Sequence, residues 1–244
     1  MKKISKHGDC CQWYRLLIKY HTQRLKKGAN REQLKWVKKL LHGKKFFFDI
    51  GANKGLFTYW AAKYIENNGI FHLFEPQPEL AFIFANLEKH FSTKHKLYYN
   101  NFALSDSNGE AILNRQCIGD GSASVAKFKQ WNNLSESISL QTLDQYCVDH
   151  SINEIDFIKI DVEGHEFKTI EGGMQTIQKF KPSMLIEMNS GDESNLILEN
   201  FRILGYKIKM IWAGNTYDEH SKNFDSFESK KQIPNSHADF LFFQ

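Results

Sequence analysis

The sequence predicts an α/β fold with a mostly parallel sheet. Three observations carry that prediction. Short apolar runs alternate along the chain with segments of helical spacing, such as Phe46–Ile50 before Leu56–Ile65 and Ile70–Phe74 before Gln77–Phe91. The first run ends in a glycine turn, Asp49-Ile50-Gly51-Ala52-Asn53-Lys54-Gly55, and a helix-like segment follows at once. An acid, Glu75, then closes the next apolar run, 24 residues after Gly51.

Strand, glycine turn and helix form the context in which a nucleotide-like ligand meets a helix N-terminus. Gly51 lets the backbone turn and approach a ligand closely, and Gly55 lets helix and strand pack tightly. The spacing is D-x-G-x-x-x-G, without the third glycine of the dinucleotide fingerprint. Asp49 would repel a pyrophosphate but tolerate a cation, and S-adenosylmethionine carries a sulfonium and an ammonium. Glu75 at the tip of the neighbouring strand can accept hydrogen bonds from both hydroxyls of a ribose. The pairing of glycine turn and acid is far more specific than either alone.

In chain order, residues 10–42 show helical spacing at Trp13, Leu16, Leu17 and Tyr20 and again at Leu34, Val37, Leu40 and Leu41, with a break at Lys27–Asn30. Two helices are expected there, ahead of the first strand, as a cover or lid. After the first two strand–helix pairs, Leu97–Phe102 reads as a third strand. Residues 110–114, 122–125 and 137–140 read as short strands decorating the sheet. Thr142 or Asp144 caps a helix through Cys147. Ile155–Ile160 reads as the fourth strand, and Asp161, Glu163, His165 and Glu166 crowd its C-terminal end, where open α/β sheets place their sites. Helices are expected up to Gly172 and over Met174–Phe180. Ser183–Met188 is a fifth strand, Glu193–Leu204 a helix and Tyr206–Trp212 a sixth strand. The polar stretch 213–236 is expected to be loop, and Ala238–Phe243 closes the chain as a strand.

The chain has 244 residues, 41% hydrophobic and 25% charged, ordinary for a globular domain with a substantial core. No apolar run reaches a membrane span, and no apolar segment follows the basic start as a signal peptide requires. Cys10, Cys11, Cys117 and Cys147 form no C-x-x-C pair or metal-like cluster, the adjacent Cys10 and Cys11 are expected as free thiols, and a reducing, cytoplasmic setting fits best. The net charge of +4 hides an asymmetry. Residues 1–45 hold 14 Lys/Arg and 2 acids, whereas the remaining 199 hold 18 and 26. Such an arm suits an anionic polymer or a membrane surface, although a solvated helix face is the preferred reading.

Several segments together resemble the FkbM family of S-adenosylmethionine-dependent methyltransferases. They are Phe48–Gly55, Phe74-Glu75-Pro76, Ala103–Asp106, Thr142-Leu143-Asp144 and, most specifically, Phe157–Glu166, and they cover about residues 45–190. The resemblance implies a Rossmann-like class I methyltransferase fold, with a seven-stranded, mostly parallel sheet and an antiparallel last strand. It divides the chain into a basic helical extension, 1–44, and a methyltransferase domain, 45–244. It also implies O-methylation of a hydroxyl on a sugar, glycan or glycosylated small molecule.

The site residues follow from that framework. Gly51, Ala52, Asn53 and Gly55 should wrap the methionine part of the cofactor, with Asp49 facing its ammonium and Glu75 taking the ribose. Phe74, Pro76, Ala103 and Leu104 can flank adenine, and Ser124 sits on a turn able to reach the site. A hydroxyl needs a base to take its proton during attack, and His165 is the first choice. A histidine in a polar turn is also often a structural hydrogen-bonder. Asp161 orients the hydroxyl or His165, or caps a helix; Glu163 contacts a ligand or is merely solvated. Glu187 can pair with Asp161 around a hydroxyl or a divalent cation, the cation being the less favoured expectation. Two readings compete with the leading one. An RNA ribose methyltransferase would track phosphates with the basic arm, but aromatics are not interleaved there as a stacking platform needs. A silent binding module of the same fold would not need Asp49, Gly51, Glu75, Asp161 and His165 together.

Overall fold

The computed structural model describes residues 30–117, 119–125, 134–229 and 237–244. The first expected helix and most of the basic arm lie outside these residues, as do Cys10 and Cys11. The second expected helix is α1 (Asn30–Leu41). It leads into β1 (Phe46–Ile50), the glycine turn and α2 (Leu56–Ala61). Next come β2 (Gly69–Phe74), a single 3₁₀ turn at Pro78–Leu80 and α3 (Ala81–Phe91). The 3₁₀ turn replaces the expected helix start because Pro78 supplies no N–H and fixes the backbone at the first position.

A second group of strands does not decorate the main sheet as expected. After β3 (His95–Asn100) the chain leaves it, and β4 (Ala103–Leu104), β5 (Gly109–Arg115) and β6 (Leu134–Gln141) form a separate three-stranded sheet in the order β4-β6-β5. The expected strand at 122–125 reduces to one bridge between Ser124 and Asn114. α4 (Leu143–Asp149) is capped by Thr142, whose hydroxyl accepts the Gln145 N–H. Then follow β7 (Phe157–Ile160), α5 (Glu166–Glu171), α6 (Met174–Phe180), β8 (Ser183–Asn189), α7 (Asp192–Ile203) and β9 (Lys207–Trp212).

The stretch expected to be loop carries β10 (Asn215–Asp218) and α8 (Lys222–Ser229) before β11 (His237–Phe243). Here the sheet departs from the expected seven strands. Its order is β10-β9-β11-β8-β7-β1-β2-β3, eight strands in all. β3, β2, β1, β7 and β8 are parallel, and β11 inserts antiparallel between β8 and β9. The eighth strand, β10, is added at the edge by a two-residue hairpin whose central residues, Ala213 and Gly214, both have positive φ, 49° and 77°. That is the type I′ pattern, which matches strand twist. Polar residues on an edge strand hide it from a hydrophobicity reading.

The sheet buries both faces, a three-layer α/β arrangement. One face presents Phe48, Ile50, Ile158, Ile160, Met184 and Phe240 to α4–α8. The other presents Phe47, Phe71, Phe157, Leu185 and Leu241 to α1, α2 and α3. Val37 and Leu41 of α1 are fully buried in this second core, so residues 30–41 pack as part of the same domain. No helix of the described residues is long and apolar enough to cross a membrane.

Candidate active site

Two crevices open along the C-terminal ends of the parallel strands. The first is built by the turn after β1. Gly51 and Ala52 both donate their N–H to the Phe74 carbonyl, 3.0 Å each, tying the turn to the end of β2. Gly51 has φ +76°, and a Cβ there would stand 1.9 Å from the Asp161 carbonyl oxygen. Only glycine admits this contact between the β1 and β7 turns. Asn53 adopts φ 44°, a left-handed conformation asparagine tolerates, and this aims its N–H at Glu75 Oε2, 2.8 Å away. The Gln77 N–H donates to the other carboxylate oxygen at 3.0 Å. Burial raises the Glu75 pKa, and these two N–H groups oppose the rise. Phe74, Pro76, Leu104 and Val162 give the crevice an apolar slot beside the carboxylate. The stretch Asp120–Val125 closes its far side, because Asn53 Nδ2 and Gln77 Nε2 donate to the Asp120 carbonyl and Lys54 Nζ to that of Gly119.

The second crevice lies on the sheet face covered by α1 and α2. Strand register sets its floor. Asp49 pairs with Lys159, Lys159 with Leu185, and Glu187 with Asp239 across β1, β7, β8 and β11. These residues therefore share one face, as does Asp161, two residues beyond Lys159. The Lys159 ammonium lies 3.0 Å from Asp161 Oδ2 and 3.7 Å from Asp49 Oδ1. The two carboxylates raise its pKa against the opposing effect of burial. Asp49 is fully buried, accepts a hydrogen bond from the Thr58 hydroxyl and has its pKa raised by burial. Glu187 is pushed up to about 8, by burial first and then by Asp161 and Asp239. Asp239 is pushed up to about 7 by burial, although the Gln33 side-chain amide donates to it from α1. Trp60, Phe57, Leu34 and Leu56 form the opposite wall.

The structure distributes the residues expected from sequence between these crevices. Glu75, Phe74, Pro76, Ala103, Leu104 and His165 line the first, while Ala52 and Glu187 line the second. Gly51, Asn53, Asp161 and Glu163 line both. Asp49 and Gly55 line neither: Asp49 bears on the site through Lys159, and Gly55 (φ +65°) packs against Leu87 and Phe84. Ser124 lies just behind, its hydroxyl donating to the Glu163 carbonyl at 2.8 Å. His165 is buried, with Nε2 2.9 Å from the Ser105 hydroxyl, and burial lowers its pKa. Glu166, crowded beside these in sequence, serves the turn itself, since its carboxylate accepts the N–H groups of Val162 and Gly164.

Sequence reasoning missed Gln77, Lys159, Gln33 and Asp239. A lysine inside the four-residue buried strand Phe157-Ile158-Lys159-Ile160 was a readable signal, because such a charge needs a buried partner. Asp239 within an apolar last strand was another. Among the described residues no group of three or more His, Cys, Asp or Glu side chains is arranged to hold a metal ion.

A family model, Methyltransferase FkbM domain, matches residues 49–208. The chain belongs to the FkbM methyltransferase family. It is 31% identical over 121 residues to the 2-O-methyltransferase NoeI of Sinorhizobium fredii, an alignment covering 43% of this chain and 48% of NoeI. The chain thus spans about half the length of that curated relative. Among solved structures, methyltransferase FkbM of Methylobacillus flagellatus is similar with a TM-score of 0.50 at 14% identity, over 82% of this chain and 43% of that one. A candidate rRNA-methylase of Clostridium thermocellum is similar with a TM-score of 0.51 at 8% identity, over 88% and 95%. At such identities the likeness is one of fold.

Proposed function

We propose that this FkbM-family chain is an S-adenosylmethionine-dependent O-methyltransferase whose acceptor is a hydroxyl of a sugar, glycan or glycosylated small molecule. The observation that carries the proposal is the junction of the two crevices. They share Gly51, Asn53, Gly121, Asp161 and Glu163, so a cofactor in one meets an acceptor in the other beside Asp161. The first crevice fits the cofactor's adenosine. Its apolar slot suits a purine, and the Glu75 carboxylate, pre-oriented by two N–H groups, keeps lone pairs for a ribose diol. When bound, S-adenosylmethionine supplies the methyl group as an electrophile. The name of NoeI, a 2-O-methyltransferase, supports transfer to an oxygen.

The protein's own part is chiefly positioning. Asp161, fixed by the Lys159 ammonium, orients the acceptor hydroxyl at the junction. Glu187 lines the acceptor crevice, and its raised pKa, about 8, makes its carboxylate a better base than an ordinary glutamate. His165 lines the cofactor crevice, where its bond to Ser105 steadies the turn after β7. The Lys159 ammonium already supplies the cation between Asp49 and Asp161, so we expect a chelator to leave turnover intact. An RNA acceptor gains no support from the second crevice, whose carboxyl-rich floor opposes phosphate.

Calorimetry with S-adenosylmethionine, its demethylated product and NAD tests the cofactor, with binding expected for the first two alone. Mass spectrometry of acceptor glycans incubated with protein and cofactor tests the activity, with a gain of one methyl expected. NAD binding without any response to S-adenosylmethionine would overturn the proposal.

A further inference from the structure

The two crevices differ in where their residues come from. Every residue lining the cofactor crevice falls between Ile50 and His165, inside the stretch that matches the family model. The second crevice takes three residues from outside that stretch: Gln33 and Leu34 from α1, and Asp239 from β11. The family-wide part of the chain thus builds the cofactor side and the floor of the acceptor side. The segments flanking it supply one end of the acceptor crevice alone.

That end is polar and directional. Gln33 donates its amide to Asp239, which leaves the Gln33 carbonyl oxygen and the second Asp239 oxygen as hydrogen-bonding groups. Asp239 stands directly opposite Glu187 in the antiparallel register of β8 and β11. Four acids, Asp161, Glu163, Glu187 and Asp239, line this crevice against two lysines. Lys159 is held by Asp49 and Asp161, and Lys54 donates to the Gly119 carbonyl. An anionic acceptor would meet the Asp161 carboxylate and, once the pH exceeds their raised pKa values of about 8 and about 7, those of Glu187 and Asp239 as well, and like charges placed together disfavour binding. A neutral hydroxyl group can donate to these oxygens or accept from the amide. The wall of Trp60 and Phe57 suits the apolar C–H face of a ring.

We propose that Gln33 and Asp239 are the specificity-determining pair of the acceptor crevice, selecting an uncharged polyhydroxylated acceptor over an anionic one. This rests on the reading of the second crevice as the acceptor site.

The test uses the full chain saturated with the demethylated cofactor at pH 9, where Asp239 and Glu187, raised to about 7 and about 8, are both mainly ionised. The probes are the neutral methyl glycosides of glucose, galactose, mannose and fucose, the methyl glycosides of glucuronic and galacturonic acid, and glucose 6-phosphate. Saturation-transfer NMR and calorimetry measure binding. At least one neutral glycoside should bind about tenfold or more tightly than every anionic probe. Gln33→Leu should weaken the neutral probe, and Asp239→Asn should narrow the gap between neutral and anionic probes. Both variants should keep the wild-type affinity for S-adenosylmethionine, which also reports that they fold. Equal or tighter binding of an anionic probe, binding of no neutral glycoside, or variants that leave the preference unchanged would overturn the inference. Failure of the wild type to bind S-adenosylmethionine would instead overturn the methyltransferase reading, so the two failures are told apart.

Discussion

The Glu75 carboxylate receives the Asn53 and Gln77 N–H groups and sits at a strand tip, so its removal disturbs a binding surface more than a core. Glu75→Ala should weaken S-adenosylmethionine by about 1.5–3 kcal/mol, the scale of hydrogen bonds to a charged group, with folding intact; calorimetry and circular dichroism check both. Glu187 and His165 stand on different crevices and should separate kinetically. Glu187→Gln should lower kcat by roughly 10²–10⁴, the usual contribution of acid–base catalysis, at unchanged cofactor affinity. His165→Ala should act mainly on cofactor affinity. Because Glu187 works as a base only when ionised, the wild-type rate should rise with pH through an inflection at about 8. A rate rise centred below the usual histidine value, where burial places His165, that disappears in His165→Ala would return the base to histidine.

The same carboxyls set a stability trend. Glu187 is raised from 4.5 to about 8 and Asp239 from 3.8 to about 7. Between those limits the folded state binds more protons than the unfolded one, so stability falls as pH rises. Thermal melts should therefore show Tm falling from pH 6.5 to pH 8, above the range in which the buried His72, His95 and His165, their pKa values lowered by burial, act in the opposite sense. The slope should flatten in Glu187→Gln and in Asp239→Asn. A Tm that climbs over this window would contradict the burial assigned to both groups.

Among the elements, the β9–β10 hairpin has a mismatch between residue and turn. Ala213 holds φ 49°, where a Cβ costs about 1–2 kcal/mol and asparagine is tolerated best after glycine. Ala213→Asn should stabilise the protein by about 0.5–1 kcal/mol in urea titrations. The glycine turn after β1 shows the opposite arrangement, in which residue and backbone agree. Gly51 takes a positive φ beside the Asp161 carbonyl, and the turn thereby locks the ends of β1 and β7 together at the junction of the crevices.

For the whole molecule, the question is how α1 belongs to the fold. It precedes the matched family stretch, yet Leu41 is fully buried against the same core as Phe47 and Leu241. The Trp36 indole donates to Thr216 of β10 at 3.1 Å and stacks on Phe243 of β11, so one helix clasps both flanking strands. Leu41→Ala should cost about 2–5 kcal/mol of unfolding free energy, the range for a large buried aliphatic side chain. A cost near zero in denaturant titrations would make α1 a detachable lid instead.

Much of this was legible locally. The run Phe46–Ile50, its turn and the helix behind it are consecutive, so hydrophobic period and glycine spacing read them directly. That Glu75 and Asp161 stand at crevices was readable because both close a parallel strand, and the crevices open at the strand ends. Ala213-Gly214 was overlooked because a polar edge strand lacks the apolar alternation that marks a strand. His165 shows the limit of local reading: its sequence neighbourhood is that of Asp161, but its side chain turns to Ser105, sixty residues earlier. Lys159 between Asp49 and Asp161, and Gln33 on Asp239 across 206 residues, exist only once the sheet order places β1 beside β7 and β11 beside β8. The sequence by itself determined the parallel strands of the main sheet, the glycine turn after β1 and the acids at the strand tips, because neighbours in the chain enforce them. Which acids share a face, and which helix closes over them, was decided by tertiary pairing, because long-range strand order and register leave no periodic signal in the chain.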